Sequence, residues 1–144
     1  MKNLEQVRAA NALRAIKRIQ EHDSKGKGDK GGDALTGLPA LIVNNGLLAT
    51  LAFSKSKSKT DKNTGEYKKS GHEVICDEIA VHLGWEDIKL LHGKHTADGL
   101  LAYLTNDDSD SMRLRLCTAE TLAFLNYLRR FAKADKTDST GGGK

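Results

Sequence analysis

The longest apolar run in this chain, GLPALIVNNGLLATLAF from Gly37 to Phe53, carries Asn44-Asn45-Gly46 at its centre. Asn-Gly between two apolar runs is the strongest short-range hairpin signal, yet the run also suits a buried helix. Helical spacing places Leu38, Leu41, Ile42, Asn45, Leu48 and Ala52 on one face, with Leu51 beside it. A strand would gather Leu41, Val43, Asn45, Leu47, Ala49, Leu51 and Phe53. It would then leave Ala40, Ile42, Leu48 and Ala52 on the side that should be polar. Thr36 as a cap and Pro39 in a first turn also favour a helix. The expectation is a helix from about Leu38 to Phe53, broken or kinked at Asn45-Gly46, where glycine costs about 1 kcal/mol relative to alanine. Two short helices meeting there is the close variant.

The other periodic segments are helical too. Leu4 to about Gln20 is Ala-rich, with Ala9, Ala12, Leu13, Ile16 and Ile19 on one side and Arg14, Lys17 and Arg18 on the other. Glu66 to Leu83 reads as a helix ended by Gly84, with Ile75, Cys76, Ile79 and Leu83 on its core face and His72 among them. A second stripe, Tyr67, Val74 and Val81, recurs at spacing seven; it belongs to a central bundle helix or to a subunit contact with another chain. Short helices follow at about Trp85–Leu91 and Thr96–Leu104. The last, about Ser111–Ala134, stacks Leu114, Cys117, Thr121, Phe124, Leu128 and Phe131 into one stripe. Its opposite side carries Arg115, Arg129, Arg130 and Lys133 with Asn126 and no acid.

At 144 residues the chain is sized for one domain. A single Pro, few aromatics and a charged fraction of 29% argue against an all-β fold and a large ligand pocket. The fold expected is all-α: a compact single-domain bundle of about five to six helices over residues 1–134. Two mobile basic loops, about 21–33 and 54–65, interrupt it, and 135–144 is expected to be a disordered tail. The N-terminus lacks the unbroken apolar segment of a signal peptide. No run reaches the ~18 apolar residues that cross a bilayer. Two cysteines without a spaced framework indicate a reduced compartment. A soluble, cytoplasmic protein is expected.

No constellation of residues points to catalysis, and no cofactor is expected. His92 and His95 straddle Gly93, the acids Asp107, Asp108 and Asp110 read as a capping turn, and no CxxC or HExxH pair marks a metal site. Cys76 and Cys117 occupy core positions with nothing nearby to activate a thiolate. EIAVHLGWEDIKLL has the spacing of a helix-turn-helix, which supports the alternative of a stand-alone DNA-binding regulator. Its second helix would open with Glu86 and Asp87, where DNA contact calls for Lys, Arg, Asn or Ser.

What remains is a basic surface with a net charge of +4. Candidate phosphate contacts are Arg14, Lys17 and Arg18; Lys55, Lys57, Lys59 and Lys62; Lys68 and Lys69; and Arg115, Arg129, Arg130 and Lys133. Aromatic platforms for stacking bases are scarce, so such contacts would be electrostatic and sequence-blind.

LPALIVNNGLLATLAFSKSK, Leu38 to Lys57, and TAETLAFLNYLRRFAKA, Thr118 to Ala134, together with the opening NLEQVRAANAL, resemble the small helical subunit of the type III-B CRISPR effector, the Cmr complex. Tyr127 stands where the family usually has Trp, and Arg129 where it has Lys. The segment from Glu66 to Asn106 matches only in pattern. The resemblance implies an all-α, non-catalytic protein that stacks along a filament of larger backbone subunits, beside further copies of itself. It implies crRNA and target RNA as partners, with the duplex cradled by the subunit and cut elsewhere, and no membrane.

Overall fold

The computed structural model describes residues 2–24 and 31–142, with side-chain surroundings described for 2–22 and 34–134. Among the described residues the chain runs α1 (Leu4–Ser24), α2 (Gly31–Asn45), α3 (Leu47–Ser56), β1 (Lys59–Thr60), β2 (Tyr67–Lys68), α4 (Gly71–Leu83), α5 (Ala97–Thr105) and α6 (Ser111–Gly142). The protein is an all-α bundle with one small antiparallel ribbon. Helix α4 lies at its centre: α2, α3, α5, α6 and α1 all pack against it. Its Ile75, Cys76, Ile79, Ala80 and Leu83 are almost wholly buried, with Leu35, Leu38, Ile42, Leu51, Leu100, Phe124, Leu125 and Leu128 around them. This burial supplies most of the stability of such helices, because isolated helices of this length are marginal in water.

The apolar run resolves into two helices, not a hairpin. Gly46 sits between them with φ +93° and ψ 158°, a region essentially confined to glycine. Its N–H donates to the Ile42 carbonyl at 2.8 Å, and its carbonyl accepts from the Thr50 N–H at 3.1 Å. One residue thus ends α2 and opens α3. Helix α2 starts earlier than expected: Pro39 lies inside it, so Thr36 is not its cap. Burial of Ala34, Leu35 and Leu38 carries the helix through a proline that leaves the Leu35 carbonyl without its usual donor.

Other boundaries differ as well. Helix α4 begins at Gly71 because Ser70 caps it, its hydroxyl accepting from the Glu73 N–H at 3.0 Å. Tyr67 and Lys68 therefore belong to a strand rather than to that helix. Residues 85–88 form turns, not a helix, and Lys89 follows with φ +55°. The helix-turn-helix alternative loses its recognition helix there. On α1 the buried side is Val7, Asn11, Ala12, Ala15, Ile16 and Ile19, whereas Leu13 is 51% exposed. Asp110 caps α6 by accepting from the Arg113 N–H at 2.8 Å. That helix continues to Gly142, past the end expected at Ala134. Of the basic loop expected at 21–33, residues 21–24 and 31–33 are helical and 25–30 lie outside the described residues. Residues 143 and 144 also lie outside them.

Candidate nucleic-acid interface

The expected basic residues fall into two groups, those committed to the protein's own polar groups and those facing outward. Arg18 makes a forked pair with Glu78, Nη2 to Oε1 at 2.6 Å and Nε to Oε1 at 2.9 Å. Lys69 pairs with Asp77. Lys55 lies 3.0 Å from Asp98 and 3.6 Å from Glu73. Burial opposes its charge, but bonds to Asp98 and to the Tyr67 hydroxyl outweigh that and raise its pKa. Arg14 donates to Asn11 Oδ1 at 2.7 Å and lies over the Trp85 ring. These four side chains hold the fold together and have less freedom to meet an external phosphate.

Lys17, Lys59, Lys62, Lys68, Arg115, Arg129 and Arg130 are exposed, as is Lys133. Lys57 is exposed with its ammonium 5.2 Å above the Phe53 ring. Arg130 reaches Asn126 at 3.4 Å. Helical geometry keeps Arg115, Arg129, Arg130 and Lys133 on the side of α6 away from Phe124 and Leu128. The structure therefore offers two outward basic regions, one on α6 and one on the β1–β2 ribbon.

The ribbon is firmly mounted. The Glu73 carboxylate, 3% exposed as a residue, accepts from the Ser58 hydroxyl and the Tyr67 hydroxyl, each at 2.6 Å. Ser58 precedes β1 and Tyr67 lies in β2, so one buried carboxylate ties both strands to α4. The Ser70 N–H donates to Ser58 Oγ at 2.8 Å, and the Ser70 hydroxyl donates to the Ser54 carbonyl at 2.9 Å. Composition alone suggests a loose loop at 54–65; the sequence signal for order is Ser70-x-x-Glu73, a capping pattern that places a carboxylate beside the strands.

The expected contact stripe of Tyr67, Val74 and Val81 does not form a surface. Tyr67 is on the ribbon, Val74 is 7% exposed, and Val81 is half-buried. Spacing seven failed here because the helix does not extend back to Tyr67.

A second polar system lies inside the bundle and joins three helices. Asn11 Nδ2 donates to His82 Nδ1 at 2.9 Å, and His82 Nε2 donates to Glu120 Oε2 at 2.9 Å. Since Asn11 Oδ1 is occupied by Arg14, its amide nitrogen must face His82, and this fixes the Nε2–H tautomer. Arg8 grips Glu120 through Nε at 2.8 Å and Nη2 at 2.7 Å. Burial pushes the Glu120 carboxyl up, but Arg8 and His82 more than reverse this and hold it at about 2. The His82 ring stacks on Phe124, centroids 4.3 Å apart. Every member is accounted for by a partner, as a structural network requires. Burial raises both thiols, Cys76 to about 12. Among the described residues no three His, Cys, Asp or Glu side chains converge to hold a metal ion, and no helix is long and apolar enough to cross a membrane.

The sequence model of a family described as CRISPR-associated protein (Cas_Cmr5) matches residues 4–135. The chain belongs to the Cmr5 family. A solved structure described as a CRISPR-associated Cmr5 family protein from Thermus thermophilus is similar in fold, with a TM-score of 0.67 at 22% identity, covering 93% of this chain and 97% of that one. Membership of the Cmr5 family makes the chain a small subunit of the Cmr complex. The all-α bundle seen here is the architecture shared with that Cmr5 relative.

Proposed function

We propose that the chain is a non-catalytic structural subunit of a type III-B CRISPR ribonucleoprotein. It stacks along the backbone filament and steadies the crRNA–target RNA duplex through phosphate contacts that ignore sequence. The observation that carries this reading is a Cmr5-family bundle whose outward charge, at Arg115, Arg129 and Arg130 of α6 and along the ribbon, is basic. A duplex already read by guide pairing needs only backbone contacts from such a subunit. The partners are the backbone subunit, further copies of this chain, crRNA and target RNA.

Charge reversal at Arg129 and Arg130 tests it. Target-RNA retention by the assembled complex should weaken, and its dependence on salt should flatten by about 0.9 in log–log slope for each phosphate no longer engaged. Unchanged retention and slope would remove α6 as an RNA-binding face.

A further inference from the structure

The β1–β2 ribbon pairs Lys59 directly with Lys68 across its two strands. Side chains at opposed positions project to the same face with Cβ atoms about 5 Å apart, and like charges there destabilise the pairing. The ribbon is very short, two residues per strand, so it has few other bonds to absorb that repulsion. Both lysines are exposed. Asp61 and Glu66, the next opposed residues toward the tip, relieve them only in part: the Asp61 carboxylate feels the positive charge of Lys68, but among the described residues neither acid forms an ion pair with Lys59 or Lys68. The Asp61 carboxylate is engaged by its own turn, accepting the N–H groups of Asn63 at 2.8 Å and Thr64 at 3.3 Å. The ribbon persists because Glu73 fastens both strands at their base. A buried carboxylate is thus committed to holding two like charges side by side, on a projection that contributes nothing to the core.

We infer that the Lys59–Lys68 pair is a preorganised seat for the phosphodiester backbone of RNA, with Lys62 at the ribbon tip as a further contact. A phosphate between the two ammonium groups removes their repulsion and gains two charge-assisted hydrogen bonds. Because the strands are already fastened, little ordering is needed on binding. This deepens the proposed function, on which it rests, by assigning one RNA contact to the ribbon.

The test uses the full-length protein and a fluorescent oligouridine of about 20 nucleotides, followed by anisotropy across a salt series. Target-RNA retention by the assembled complex is measured in parallel. Lys59→Gln with Lys68→Gln should weaken binding about tenfold at low salt and flatten the log–log slope by about 0.7, the value for one phosphate of a single strand. Lys59→Gln, which leaves Lys68 beside Asp61, should move two readouts in opposite directions. It should weaken RNA binding, while relief of the repulsion slows amide exchange at Asp61, whose N–H is bonded to the Glu66 carbonyl, about two- to fivefold. Slower exchange with unchanged RNA affinity would overturn the seat and leave an ordinary solvated pair. Exchange that is not slowed would overturn the strained-pair argument. If instead only Arg129→Gln with Arg130→Gln lowers affinity and slope, the ribbon assignment fails and the proposed function stands. Absence of RNA binding by both the unaltered chain and the complex would remove both.

Discussion

Glu120 shows how a charge can matter more to the fold than to any partner. Its carboxylate is shared by Arg8 and His82, residues 112 and 38 positions away in sequence. Because its pKa falls from 4.5 to about 2 in the folded protein, its contribution is complete above the ordinary carboxylate range. It fades as pH drops from 4.5 through 2, where the folded form also takes up the proton. That contribution is on the order of 3 kcal/mol. Glu120→Gln should therefore cost about that much at neutral pH, since it strands the Arg8 guanidinium. Thermal melts of the two proteins from about pH 6 to pH 2 should converge at the acid end; a constant gap would show that packing, not ionisation, accounts for the loss. None of this was visible in the sequence. Arg8 and Glu120 are ordinary surface residues by type, and only the packing of α1 on α6 brings them together. The same holds for Arg18 and Lys69: by type they are candidate phosphate contacts, and only the fold sets Glu78 and Asp77 beside them.

At the level of elements, what was legible had a local cause. The stripe on α6, the core face of α4 and the break at Gly46 follow from helical periodicity and from glycine's freedom at positive φ. What was missed had a distant one. The ribbon depends on Glu73 rather than on β-propensity in a Lys/Ser-rich segment, and α2 crosses Pro39 because its leucines are buried. Two glycine substitutions separate these causes. Gly46→Ala should cost about 1–3 kcal/mol although there is open space around it, because the strain is in the backbone. Gly37, exposed inside α2 with nothing within 4 Å of an added Cβ, should instead gain about 0.5–1 kcal/mol as alanine. Urea unfolding midpoints of the two variants should shift in opposite directions. A midpoint that does not fall for Gly46→Ala would show that the junction is not held by the conformation of Gly46.

For the molecule as a whole, family and fold were legible because two sequence blocks and helical periodicity span most of the chain. The outward basic surface was legible only as a set of candidates, since spacing cannot tell a paired cation from an unpaired one. The two cysteines report on the whole bundle. Cys76 is 1% exposed and Cys117 fully buried, on α4 and α6. Reaction of either with a thiol reagent should track global unfolding, with the same denaturant dependence for both. Faster labelling of Cys117 alone would identify α6 as an independently opening unit.

Helix α1 packs chiefly against α6, through Arg8–Glu120 and the Glu5–Tyr127 hydrogen bond. A ribosome therefore makes the first helix long before the surface that must cover it. At about 5–20 residues per second, α1 waits several seconds for the C-terminal third to emerge. During that interval the nascent chain exposes a greasy helix, and chaperone occupancy should be highest just before Phe124 leaves the exit tunnel.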